Sequence, residues 1–214
     1  MPDNRNDFIN LCLEHNILKF GEFTLKSGRI SPYFFNAGGF NNGHLLCALS
    51  RFYATSIVAN VHEDFMLYGP AYKGIPLACT TALQLSQMYN RNIPYAFNRK
   101  EEKDHGEGGN IVGAPLRDNV VILDDVITAG TSVNESVEII KNAGATPSAV
   151  VIALDRQEVA DDQELSAVQR VEKELGIPVY SLIKLSDLID FLSMNTGDDL
   201  YIDTVSAYRD KYGV

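Results

Sequence analysis

The chain has no surplus of cations. Its 214 residues carry 18 Lys and Arg against 28 Asp and Glu, a formal net charge of −10. That balance argues against non-specific nucleic-acid binding, which depends on Lys and Arg neutralising phosphates. No apolar run approaches the roughly 20 residues that span a bilayer. The longest uninterrupted stretches, such as Val120-Val121-Ile122-Leu123, have the length of a buried strand. The first residues, MPDNRNDFIN, are polar and hold no apolar h-region, so no secretory signal is expected. Cysteine is scarce: Cys12, Cys47 and Cys79 are odd in number and lie 35 and 32 residues apart. Such spacing fits neither a disulfide framework nor a zinc site; it predicts reduced, buried thiols in a cytoplasmic protein. Internal repeats and linkers are absent.

What is present is a chain of ordinary globular composition, 45% hydrophobic and 21% charged, long enough for one substantial core. Residues 6–15 have the apolar spacing of a short amphipathic helix. EFTLK and RISPYFFN, around Ser27-Gly28, read as two strands and a turn, with Pro32 confining the second to an edge. From about residue 45 helices and strands alternate. Strands are expected at 65–68, 93–99, 120–123, 149–154 and 177–183. Helices are expected at 45–61, 75–89, 133–143 (with Gly144 at C′), 162–175 and 186–193, with a polar helix near the C-terminus. Alternation of this kind predicts an α/β fold with a mainly parallel central sheet flanked by helices. The strands VVIL and AVVIAL are apolar at successive positions, which requires cover on both faces. Ligands of such sheets bind beyond the carboxyl ends of the strands.

The most informative such end is VVILDDVITAGTS, residues 120–132. Four apolar residues lead to Asp124 and Asp125, then to a loop of small and hydroxyl residues, then to a helix. Gly130 admits close approach to the backbone, hydroxyls donate hydrogen bonds, and a helix N-terminus offers free N–H groups and a partial positive charge. This is an anion cup made of backbone. There is no Gly-Lys-Ser/Thr, so it is not a Walker loop. A capping box of Ser132 and Glu135 would account for those two residues, but not for two carboxylates ending a buried strand, where charge is costly unless paired.

This stretch resembles the PRPP-binding signature of the type I phosphoribosyltransferases. The resemblance implies that Asp124 and Asp125 face the ribose hydroxyls, and that Thr128, Ala129, Gly130, Thr131 and Ser132 cradle the 5′-phosphate, with Val126 and Ile127 also in the PRPP site. Because neighbouring strand residues point to opposite faces, both acids reach one sugar only if the strand has ended by Asp125.

Other segments resemble the orotate phosphoribosyltransferases within that family. LKSGRISPYFFN (25–36) is similar to their N-terminal hood, which implies Lys26 on PRPP and Phe34 and Phe35 along the orotate ring, with Thr128 also at the orotate. As ordinary strand core, Tyr33, Phe34 and Phe35 would need no ligand. LYGPAYKGIPLA (67–78) is similar to the pyrophosphate loop, placing Tyr72 and Lys73 on PRPP. NRKEEKDHGEGGN (98–110) resembles the catalytic loop, with Arg99, Lys100, Lys103 and His105 on PRPP. Its three cations and three acids from Arg99 to His105 cancel, so particular side chains would act there, not a basic field. Gly106, Gly108 and Gly109 suit a mobile lid. Arg156, in ALDRQE (153–158), matches the arginine that pairs with the orotate carboxylate, a task for which a planar guanidinium is suited.

The resemblance extends over nearly the whole chain. It implies one domain over 1–214 with the type I phosphoribosyltransferase fold: a small hood mainly at 20–40, an α/β core at about 45–190 and a C-terminal helix at about 199–212. It implies Mg²⁺-dependent transfer of phosphoribosyl from PRPP to N1 of orotate, giving orotidine 5′-monophosphate and pyrophosphate in pyrimidine (UMP) biosynthesis. Lys103, Asp124 and Asp125 would be the catalytic residues, with Mg²⁺ carried by PRPP and no dedicated protein metal site. The partner would be a second copy of the chain, with loop 99–109 reaching into the neighbouring subunit. A purine-type phosphoribosyltransferase would share VVILDDVITAGTS; a non-catalytic PRPP-binding regulator would need a DNA-binding module for which the first ~20 residues are too few.

Overall fold

The structure is a computed structural model that describes residues 4–25, 28–101, 110–128, 130–159, 164–194 and 199–214. Lys26, Lys103, His105 and Ala129 lie outside the described residues, as do the three glycines at 106, 108 and 109.

The elements run α1 (Asn4–Glu14), β1 (Leu18–Thr24), β2 (Ile30–Phe35), α2 (Gly43–Asn60), β3 (Phe65–Gly69), α3 (Gly74–Tyr89), β4 (Tyr95–Asn98), β5 (Ile111–Gly113), β6 (Asn119–Leu123), α4 (Thr131–Asn142), β7 (Thr146–Asp155), α5 (Ala167–Leu175), β8 (Val179–Lys184), α6 (Leu185–Met194) and α7 (Asp199–Tyr212). The central sheet has the order β5-β4-β3-β6-β7-β8. All its pairings are parallel except the edge pair β4–β5. This is the expected α/β architecture. β1 and β2 form a separate antiparallel ribbon, the hood.

The apolar run in β6 has a direct structural use. Val121 and Leu123 face one core layer, with residues of α1, α2, α3 and α6. Val120 and Ile122 face the other, with residues of α4 and α5. Because side chains alternate across a strand, a strand between two helix layers must be apolar at every position, and all four are fully buried.

Three expectations shift. The first hood strand begins at Leu18 and ends at Thr24, four residues ahead of the EFTLK reading; its register breaks between Phe20 and Phe23, around Gly21 at φ +149°, and that bulge conceals the alternation. β5, with three residues, is too short to leave a periodic signal. α5 starts at Ala167, because Ser166 caps it: its hydroxyl accepts from the Gln169 N–H at 3.2 Å, and the Gln169 side chain accepts from the Ser166 N–H at 3.0 Å. No helix among the described residues is long and apolar enough to cross a membrane.

Candidate active site

From β3 the chain crosses through α3 to β4 on one side, then returns to β6 on the other side of β3. The sheet therefore has its topological switch point between the carboxyl ends of β3 and β6, where open α/β sheets bind ligands. A cleft of about 1130 Å³ opens there. Its walls come from the hood, the turn after β3, the loop after β6 and the end of β7.

The turn after β3 is packed tightly against the β6 end. A Cβ on Gly69 would lie 2.0 Å from the Gly74 carbonyl oxygen, and one on Gly74 would lie 2.8 Å from the Leu123 carbonyl oxygen. Only glycine permits that approach. The Ala71–Tyr72 peptide bond is cis, and the Ala71 N–H donates to Asn98 Oδ1 at 2.9 Å. Lys73 stands at the mouth of the switch point, where its Nζ donates to Asp125 Oδ2 at 2.5 Å. Tyr72 is 69% exposed, and Lys100 Nζ lies 5.1 Å from its ring centre. Arg99 and Lys100 follow β4 and do not line the cleft itself. The Arg99 N–H donates to the Asn110 carbonyl at 2.7 Å, next to the Asn98–Ile111 pair of β4 and β5.

β6 ends at Leu123, so Asp124 and Asp125 both lie past the pleat and both line the cleft. Their carboxylates take different partners. Asp124 accepts from its neighbour's backbone, Asp125 N–H to Oδ1 at 2.9 Å, and from the Ser132 hydroxyl at 3.0 Å. The buried Tyr53 hydroxyl donates to the Asp124 carbonyl at 2.7 Å, fixing the turn from α2. Burial pushes the Asp124 carboxyl up to about 6, with the Asp125 charge adding and the bonds from the Asp125 amide and Ser132 opposing.

Beyond the acids the chain makes a recess of about 230 Å³, lined by Asp124, Thr128, Gly130, Thr131 and Ser132 among others. The capping box of Ser132 and Glu135 is not formed. α4 begins at Thr131, its N-cap is Gly130 at φ +79°, and no side chain caps it. The Ser132 hydroxyl turns to Asp124 instead. The first-turn N–H groups thus keep their hydrogen-bonding capacity for an anion.

At the far side of the cleft, Phe34 stacks on Phe23 with ring centres 5.5 Å apart, while Phe35 packs back onto the core. Opposite them, Arg156 lies over the Tyr33 ring with its guanidinium carbon 4.6 Å from the centre. Its Nη2 is 2.8 Å from Glu158 Oε1 and donates to Ser31 Oγ at 3.3 Å. The Tyr33 hydroxyl donates to the same Glu158 oxygen at 2.9 Å. Burial, with the Glu158 charge adding and Arg156 opposing, keeps that phenol well above its ordinary pKa and so protonated.

The cleft therefore brings together Phe34, Phe35, Tyr72, Lys73, Asp124, Asp125, Val126, Ile127, Thr128, Ser132 and Arg156, and Gly130 and Thr131 complete the adjoining recess. Sequence reasoning passed over Arg29, Glu158 and Arg170, which also line it. Glu158 follows Arg156 by two residues, an alternation that signals a shared face; Arg170 sits in the amphipathic pattern of α5 as an ordinary surface residue and gives no signal. No group of three or more His, Cys, Asp or Glu able to hold a metal ion occurs among the described residues.

Comparison with known proteins identifies the family. Residues 40–181 match the phosphoribosyl transferase domain model. The orotate phosphoribosyltransferase of Marinobacter nauticus is 56% identical over 214 residues, all of both chains. That of Thioalkalivibrio sulfidiphilus is 55% identical over the same length. The crystal structure of the orotate phosphoribosyltransferase of Francisella tularensis superposes with a TM-score of 0.89 at 44% identity, covering 97% of this chain and 100% of that one.

Proposed function

The chain belongs to the orotate phosphoribosyltransferase family, and from that premise we propose that it transfers the 5-phosphoribosyl group of PRPP to N1 of orotate, releasing pyrophosphate and forming orotidine 5′-monophosphate for UMP synthesis. One observation supports this above all: the uncapped turn into α4, the two carboxylates, Lys73 and Arg156 meet at a single switch-point crevice.

The roles follow from what each group can bind. The recess at residues 126–132 takes the 5′-phosphate on backbone N–H groups and the Thr128, Thr131 and Ser132 hydroxyls. Asp124 and Asp125 accept from the ribose hydroxyls. Arg156 pairs with the orotate carboxylate, and the Phe34 face lies along the ring. As the C1–oxygen bond breaks, the ribosyl carbon gains oxocarbenium character and pyrophosphate gains charge; N1 of orotate then closes the new bond to C1, and the proton N1 carried passes to the departing pyrophosphate. Donors placed for the growing charge stabilise the transition state more than the ground state. Lys73, Lys103, Arg99, Lys100 and His105 fill that role, with Tyr72 and Lys26 helping to seat PRPP. When PRPP arrives, Lys73 exchanges Asp125 for pyrophosphate and leaves that carboxylate to the sugar.

The oxygen-rich donor set of Asp124 and Asp125 suits a hard divalent cation bound mainly through phosphate oxygens. Mg²⁺ carried by PRPP would supply charge neutralisation between the polyanion and these acids. The protein acts in the cytoplasm as a homodimer, with loop 99–109 completing the neighbouring site. An outward apolar face supports this: Leu83 is 52% and Tyr95 is 37% exposed, on adjoining elements in contact.

The test is pyrophosphate release from PRPP with orotate, hypoxanthine, guanine, adenine or uracil, each with and without Mg²⁺. Release with orotate alone, abolished by chelation, is expected. Preference for a purine, or PRPP binding without turnover on any base, overturns the reading.

A further inference from the structure

Arginine is a long side chain with many rotamers, and one at a strand end in a cleft of this size has room to wander. Arg156 does not. Its guanidinium is held on three sides: by the Tyr33 ring beneath it, by Ser31 Oγ and by Glu158 Oε1. The Glu158 oxygen is itself held, because the Tyr33 hydroxyl donates to it. The pair is almost dry, with side-chain exposures of 16% for Arg156 and 12% for Glu158. Both residues still line the cleft. The backbone between them is pinned as well. Gln157 adopts φ +51°, its N–H donates to Asp155 Oδ1 at 2.9 Å, and its side-chain carbonyl accepts from the Ser186 N–H at 2.8 Å. So much restraint on one cation is more than a surface ion pair needs, since exposed pairs contribute little.

We propose that Glu158 is the positioning residue of the base subsite: with Tyr33 it holds the Arg156 guanidinium through Nη2 and so fixes the orientation in which that cation meets the carboxylate of the incoming base. This rests on the reading of Arg156 as the orotate contact. A guanidinium has five donors in a rigid plane; both of these bonds fall on Nη2, so they set the plane and leave Nε and Nη1 as the donors not committed to Glu158 and Ser31. The carboxylate also keeps the buried guanidinium compensated before substrate arrives. Glu158 therefore acts on recognition of the base, through Arg156, and not on PRPP.

The experiment is steady-state kinetics of Glu158→Ala, Glu158→Gln, Tyr33→Phe and Arg156→Ala, varying orotate and PRPP separately, with uracil as the acceptor that lacks a carboxylate. Glu158→Ala is expected to raise the KM for orotate about tenfold or more, while the KM for PRPP stays within about twofold and the preference for orotate over uracil falls. Glu158→Gln, which keeps an acceptor for Tyr33 and Arg156, is expected to recover most of the loss. Tyr33→Phe, which frees Glu158 alone, is expected to shift orotate KM in the same direction by less. A merely structural role would lower turnover with both substrates alike and leave the preference unchanged; that result overturns the proposal. So does a lower orotate KM in Glu158→Ala, which would make Glu158 a competitor for the guanidinium. If Arg156→Ala itself leaves orotate KM unchanged, the subsite reading fails first; if Arg156→Ala raises it and the Glu158 and Tyr33 variants do not, only the positioning role fails.

Discussion

Asp124 is 8% exposed at the end of a strand buried on both faces, beside a second carboxylate that is equally buried. Ser132 and one backbone amide support its charge, yet burial and Asp125 still raise its pKa from 3.8 to about 6. The sign for stability is fixed by linkage. A carboxyl whose folded pKa lies above its unfolded value holds its proton longer in the native state, so native stability falls as pH rises from about 4 to about 6 and is flat above that. Asp124→Asn removes this cost while keeping an acceptor of the same shape. The variant is expected to be more stable than the parent at pH 8 by on the order of 2 kcal/mol, or roughly 5 °C in Tm. That advantage fades to nothing as the pH is lowered to about 4. Thermal unfolding of both proteins from pH 4 to 8 checks it; a variant less stable at pH 8 contradicts the account. Its transferase activity is expected to fall steeply, because on the proposed reading the group that costs stability is the one offered to the sugar.

At the scale of elements, the parallel sheet was legible because each central strand must satisfy two apolar layers and therefore shows a solid hydrophobic run. Asp124, Asp125 and the turn into α4 were legible for the related reason that charge and glycine beyond such a run have no packing use. The hood register was not, because the bulge at Gly21 breaks its period, and α4 starts two residues before the expected 133 because Gly130 is its N-cap and Ser132 bonds Asp124 back across the loop, not Glu135. The C-terminal segment shows what periodicity cannot reach. The Val159 N–H donates to the Tyr212 carbonyl at 2.9 Å, and the Val214 N–H to the Gln157 carbonyl at 3.0 Å. Arg29 of the hood lies 4.5 Å over the Tyr212 ring and donates to the Val159 carbonyl at 2.6 Å. The tail thus backs the segment that carries Arg156 and Glu158 and ties it to the hood. Deleting residues 212–214 is expected to lower Tm by several degrees and to raise the KM for orotate more than that for PRPP. Equal effects on both substrates would mean that the tail supports the fold without a preference for the base end.

For the whole molecule, the proposed homodimer raises the question of what a second copy would add to a site formed on one chain. The placement of its cations bears on it. Lys73 is paired with Asp125, Arg156 with Glu158, and Arg99 and Lys100 stand outside the cleft lining. The protein also carries a net charge of −10, against which a polyanionic substrate must be held. On the proposed reading, a lysine delivered by a neighbour's loop would meet that need when substrate is bound and leave the empty site accessible. The outward face of α3 and β4, with Leu83 and Tyr95, is the surface on which such a neighbour would seat. Leu83→Glu is expected to shift the protein to monomers in sedimentation velocity and to reduce kcat about a hundredfold, with the chain still folded by circular dichroism. A complementation assay then tests the exchange of loops directly. Lys103→Ala and Asp125→Asn homodimers are each expected to be nearly inactive. Mixed and allowed to exchange subunits, they form hybrids in which one site has an intact loop from one chain and an intact crevice from the other, and up to half the parental activity per hybrid returns. If the mixture stays inactive while hybrids are demonstrably present, loop and crevice belong to the same chain, and the dimer must have another purpose.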